Sequence, residues 1–72
     1  MIEFELNKEY IELYILLKLI DLAESGGSAK HIISEGLVMV DGQVETRKAC
    51  KIRDGQIVKF GDDQIIVKGG IA

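Results

Sequence analysis

Four cations crowd into seven residues of this chain. Arg47, Lys48, Lys51 and Arg53 stand within "TRKACKIRDG" (46–55). Clustered Lys and Arg bind phosphates and release the counterions condensed on a polyanion, so the chemistry suggested is electrostatic. The setting is acidic, since 9 basic and 12 acidic side chains leave a net charge of −3. The charges are unevenly distributed. Up to residue 24, Lys8 and Lys18 face Glu3, Glu5, Glu9, Glu12, Asp21 and Glu24, a net −4. Over 25–53, Lys30, Arg47, Lys48, Lys51 and Arg53 face Glu35, Asp41 and Glu45, a net +2. The local field, more than the total, decides how a polyanion is met. A smaller group, Ser28, Lys30 and His31, lies near the start of a predicted helix, where free N–H groups and the helix dipole favour anions. Strands that return the 46–53 loop beside this helix would make one continuous basic surface.

Catalytic chemistry is poorly supplied. His31 is the only histidine and Cys50 the only cysteine. They could meet in space, but no third group is suggested to orient them. One His and one Cys do not complete a four-ligand metal site. "SGGSAK" (25–30) has glycines but not the GxxxxGK[ST] spacing of a nucleotide loop. The expectation is a non-enzyme with no cofactor, no metal and no small-molecule substrate. A lone thiol suits a reducing compartment. The N-terminal "MIEFELNKEY" is acidic and alternating, unlike a targeting segment. No apolar run is long enough to cross a bilayer. These features point to the cytoplasm and away from membranes.

The elements that must position these residues follow from periodicity. Seventy-two residues with 47% hydrophobic and 29% charged content suit one globular domain spanning 1–72. A chain this short buries only about 60% of its unfolded surface, so most apolar positions are committed to one core. "IEFEL" (2–6) alternates as a half-buried strand, and Asn7 can cap a following helix. Over 9–22, Leu13, Leu16, Leu17 and Ile20 form a helical stripe. A second stripe, Ile11, Ile15, Leu19 and Leu22, lies nearly opposite. Its expected cover is the chain's own strands, which makes the protein a monomer; a dimer interface is the alternative. Residues 28–35 form a second, short helix, capped by Ser28 or Ser25 and stopped at Gly36. Val38 and Val40 share one face of the next strand, and Met39 and Val44 the other. Asp41-Gly42 is a hairpin turn. "QIVKF" and "QIIVK" are strands joined at Gly61-Asp62-Asp63, and 69–72 reads as a flexible tail. The fold class is α+β: two short helices packed against a small antiparallel sheet.

These residues fit a known pattern. "SGGSAKHIISEGLVMVDGQVETRKACKIRDGQIVKF" (25–60) resembles the S-four RNA-binding domain, and most closely its small stand-alone bacterial branch, the YbcJ-like proteins. "SGGxAKxxIxEGxVxVxGxVETR" runs through the second helix and hairpin into the basic loop. With the helix at 9–22, the resemblance spans about 9–60. It implies the αL motif, two helices on a curved sheet with RNA along the second helix and the loop after the hairpin. It puts Lys30 on that helix and Arg47, Lys48 and Lys51 in the loop. Ala49 and Cys50 interrupt the basic run, and Asp41 replaces the common Asn of the turn; both should weaken binding. Phe4, Tyr10, Tyr14 and Phe60 all fall outside the basic segment. Base stacking is therefore not expected, and a structured RNA, ribosomal or transfer, met through backbone and shape is.

Two other readings remain open. The chain also resembles small ubiquitin-like sulfur carriers, whose diglycine Gly69-Gly70 would match, but Ile71 and Ala72 follow it. A protein–protein adaptor would use the second stripe of the first helix.

Overall fold

The computed structural model describes residues 1–69. The alternation of "IEFEL" forms β1 (Ile2–Leu6), with Glu3 and Glu5 exposed and Leu6 buried. A two-residue strand, β2 (Ile11–Glu12), runs directly into helix α1 (Leu13–Leu19). Helix α2 (Gly26–Ser34) follows, then the hairpin of β3 (Val38–Val40) and β4 (Gln43–Val44). The chain ends in β5 (Lys51–Ile52), β6 (Ile57–Phe60) and β7 (Asp63–Gly69).

Five strands make one sheet in the order β1-β7-β6-β3-β4, and β2 and β5 form a separate antiparallel ribbon. The α+β class with two helices holds. The sheet, however, is mixed. β1 pairs parallel to β7, with Ile2 beside Ile65 and Phe4 beside Val67, while the other pairs are antiparallel. A parallel pair needs a long connection. Here nearly the whole chain intervenes, so no local turn signal could reveal it.

One sheet face carries Leu6, Val38, Val58, Ile65 and Val67 into the core, against Leu13, Leu16 and Leu17 of α1 and Ala29 and Ile33 of α2. Ile11 and Ile52, paired across the ribbon, complete that core. The other face is wet and carries Glu3, Glu5, Lys59, Gln64 and Lys68. Met39 and Val44 pair there, as their alternation indicates.

The first helix is shorter than the 9–22 expected, for two physical reasons. Ile11 and Glu12 are drawn into strand by β5, so Glu12, not Asn7, is the N-cap. At the other end Asp21 adopts a left-handed φ of 62°. Its N–H donates to the Lys18 carbonyl, and that of Leu22 to Leu17, which closes a Schellman-type stop without glycine. The second stripe is consequently only partly covered. Ile11 is buried in the ribbon and Ile15 and Leu22 pack at the core's edge, but Leu19 is 57% exposed. Helix α2 starts at Gly26, two residues early, because Ser25 is the cap and its Oγ accepts from the Ser28 N–H at 3.1 Å. Gly36, at φ 78°, ends it. Gly69 belongs to β7 and is not part of a tail; its N–H donates to the Asp54 carboxylate at 2.6 Å. Gly70, Ile71 and Ala72, the rest of the expected tail, lie outside the described residues.

Candidate nucleic-acid interface

The 46–53 segment is anchored through its main chain. The first N–H groups of a helix have no partner within it. In α1 the N–H of Leu13 donates to the Cys50 carbonyl at 2.9 Å, and that of Tyr14 to the Lys48 carbonyl at 3.1 Å. Glu12, as N-cap, makes no side-chain hydrogen bond, so the loop is the cap. Immediately beyond, Lys51 and Ile52 pair with Glu12 and Ile11 as β5. The segment expected as a loop therefore ends in strand. Its backbone is held on both sides of Cys50, and its side chains project from a fixed path.

This docking brings the basic loop beside α2. Lys30 of α2 lies over the Tyr14 ring, with Nζ 4.7 Å from the centroid. The first turn of α2 also flanks that ring, since a Cβ built on Gly26 would meet it at 3.8 Å. Tyr14 thus touches α2 with its side chain and the loop with its main chain. At the ribbon, Lys51 Nζ lies 4.9 Å and the Arg53 guanidinium carbon 5.5 Å from the Tyr10 centroid. The expectation that aromatic residues are remote from the cations is thereby overturned. They are remote in sequence and adjacent in space. Lys18, one helical turn after Tyr14, extends the same face of α1.

The predicted cations differ in their surroundings. Among the described residues Lys48 and Lys51 form no ion pair, while Arg53 Nη1 lies 3.4 Å from Glu9. His31 is exposed and sits 3.6 Å from Glu35, its i+4 neighbour. The polar role of Ser28 among the described residues is its N–H bond to Ser25, within the cap. Arg47 is the most engaged. Glu45 accepts from its backbone N–H, its Nε and its Nη2, each at 2.9 Å. This fork–fork clasp draws the Glu45 carboxyl down to about 2 and the Arg47 guanidinium above its ordinary range. Arg47 Nη2 also lies 3.7 Å from Cys50 Sγ. Burial, followed by the charge of Glu45, pushes the Cys50 thiol above its usual value. It is held as a thiol, the opposite of an activated nucleophile. His31 and Cys50 belong to different groups, and among the described residues no cluster of three or more His, Cys, Asp or Glu is placed to hold a metal.

The clasp has a pH signature. The folded pKa of Glu45 is depressed, so its contribution to stability is complete above its ordinary value of 4.5 and is lost as pH falls toward 2. The Glu45 carboxyl carbon should titrate by NMR with a midpoint near 2. In Arg47→Gln the midpoint should return toward the ordinary carboxylate range. An ordinary midpoint in the unsubstituted protein would mean that the clasp is absent in solution.

Asp41 also has a structural use. It takes a φ of 51° and Gly42 one of 84°, the two left-handed residues of a tight hairpin turn. Its carboxylate accepts from the Ile57 N–H at 3.0 Å and from Gln56 Nε2 at 3.1 Å. Those bonds, the backbone one first, hold its pKa below the usual value. The acid that replaces the common Asn thus ties the hairpin to the start of β6.

Lys30 of α2 lies over Tyr14, Lys51 and Arg53 lie over Tyr10, and the 46–53 main chain docks on α1 at Tyr14. Comparison with known proteins gives the same kind of domain. The family model described as S4 domain matches residues 4–68. YbcJ of Escherichia coli (strain K12) is 52% identical over 68 residues, which cover 93% of this chain and 97% of YbcJ. RlbA of Bacillus subtilis (strain 168), named a probable ribosome maturation protein, is 36% identical over 64 residues, 85% of this chain and 90% of RlbA. The solution structure of YbcJ from E. coli, described as revealing an αL motif involved in RNA-binding, superposes with a TM-score of 0.73 at 51% identity, covering 94% of this chain and 87% of that one. A matched span that takes in both helices, the hairpin and the docked basic loop leaves one assignment: the chain belongs to the S4 domain family.

Proposed function

We propose that the protein is a non-catalytic RNA-binding domain that meets structured RNA through the band formed by α2, the 46–53 segment and the ribbon. One observation carries this reading. The main chain of the basic segment caps α1 beside Tyr14, the residue whose ring lies under Lys30. Tyr14 thereby links Lys30 of α2 to the main chain at Lys48, which supports a shared cationic surface. The RNA-binding motif described for YbcJ and the ribosome maturation named for RlbA support the same reading, and favour ribosomal RNA over transfer RNA. Lys30, Lys48, Lys51 and Arg53 are the phosphate contacts. Arg47 shapes the loop through Glu45, and His31 and Ser28 border the site on α2. The domain acts as a monomer in the cytoplasm, residues 1–72 working as one unit. The sulfur-carrier reading gains no support, since Gly69 is fixed in β7 instead of extending from the sheet.

The test is a titration of a ribosomal RNA hairpin at a series of salt concentrations, read by fluorescence anisotropy. With about four phosphates neutralised, log affinity should fall against log salt with a slope of roughly −3 to −4. Absence of binding at low salt, or a slope near zero, would overturn the reading.

A further inference from the structure

The ribbon of β2 and β5 has a face with no part in the core. Ile11 and Ile52 are paired and turn inward. Side chains alternate along a strand, so Lys51 and Arg53 both project outward, on the side opposite Ile52. Tyr10, next to Ile11, projects outward with them, and its ring lies within 5.5 Å of both cationic groups. The ring is only partly buried, and a groove lined by Lys8, Glu9, Tyr10, Glu12 and Ile15 opens beside it. Both cations lie over the ring in cation–π contact, and a base that stacks on Tyr10 displaces them onto its adjoining phosphates. Duplex RNA does not offer a free base face, whereas a bulge or loop does.

We infer that Tyr10, Lys51 and Arg53 form a platform for one unpaired nucleotide, so that the protein selects RNA helices interrupted by a bulge or loop. This rests on the RNA-binding reading and adds a specificity element to it. Lys30, Lys48 and the rest of the band hold the phosphate backbone, and Tyr10 tests whether a base is free beside it. Glu9, 3.4 Å from Arg53, occupies that guanidinium until a phosphate replaces it.

The experiment uses the full chain and three RNA hairpins of one sequence: fully paired, with a single-nucleotide bulge, and with the same bulge made abasic. Wild type should bind the bulged hairpin roughly tenfold more tightly than the other two, the scale of one base–aromatic stack. Tyr10→Phe, which keeps the ring, should preserve that ratio. Tyr10→Leu should bind all three alike, with the affinity of wild type for the abasic hairpin and an unchanged salt slope. Equal binding of the three hairpins by wild type would overturn the platform and leave the RNA-binding reading standing. A ratio that survives Tyr10→Leu would also overturn it, because selection would then reside elsewhere. Failure to bind any hairpin would overturn both.

Discussion

Reversing Lys30, Lys48 and Lys51 together to Glu should abolish the proposed RNA binding and leave the protein folded. The expected loss is at least roughly a thousandfold, since each charged hydrogen bond to phosphate contributes about 1.5 to 3 kcal/mol and reversal adds repulsion. The fold should tolerate it. All three side chains are exposed, and none forms a salt bridge among the described residues. The docking of the segment on α1 uses main-chain groups, the carbonyls of Lys48 and Cys50, which any side chain retains. Lys51→Glu faces Glu12 across the ribbon, a repulsion of roughly 0.2 to 1 kcal/mol, so thermal melting by circular dichroism should fall by only a few degrees. Arg47 stays unchanged in this variant. Its reversal would set two carboxylates against each other at the Glu45 clasp and confound folding with binding.

Ile52→Ala should carry the largest stability cost linked to the site. Ile52 is fully buried and pairs with Ile11, and it is the side chain that ties β5 to the core. Truncating a buried Ile to Ala costs about 2 to 5 kcal/mol. A domain of this length has roughly 4 to 11 kcal/mol in total, so the midpoint of melting should fall by roughly 10 °C or more. The distinguishing feature is affinity. At a temperature where both variants are folded, Ile52→Ala should bind RNA more weakly because Lys51 and Arg53 lose their fixed path. Val67→Ala, in the core strand β7, should be destabilised and yet bind normally. Urea melts and anisotropy on the two variants check this. Equal affinity would mean that the ribbon does not position the cations.

The parts of this structure legible in the sequence are those fixed by local chemistry. Asp41-Gly42 announces a turn because both positions need left-handed backbone, and the structure has them at 51° and 84°. Glu3 and Glu5 alternate with Ile2, Phe4 and Leu6, and β1 follows. Gly36 stops α2 for the reason a glycine usually does. What was hidden depends on pairing across the chain. Ile11 and Glu12 fit a helical stripe as well as they fit a strand, and only β5 decides between the two. The parallel pairing of β1 with β7 has no sequence pattern of its own. The docking of the 46–53 segment uses main-chain carbonyls, which leave no trace in side-chain identity. For the same reason Tyr10 and Tyr14 read as remote from the cations. Only once Ile11 and Ile52 are known as inward partners do Tyr10, Lys51 and Arg53 follow as outward neighbours. Glu45, two residues before Arg47, gave no sign either, because an Arg–Glu clasp at that spacing needs the bend that the loop supplies.

The most direct test of the basic band compares three proteins on one ribosomal RNA hairpin: wild type, the Lys30, Lys48 and Lys51 reversal, and a Lys59→Ala, Lys68→Ala control. Lys59 and Lys68 lie on the wet face of the sheet, away from the helices, and Lys68 is already paired with Glu3. Affinity is measured by anisotropy across salt concentrations, and folding is verified by circular dichroism in the same buffers. The control should stay within about twofold of wild type with an unchanged slope, while the reversal should show no salt-dependent binding. A folded reversal variant that binds with wild-type affinity and slope would contradict the basic band, and the cations at 46–53 would then be only a solvated turn.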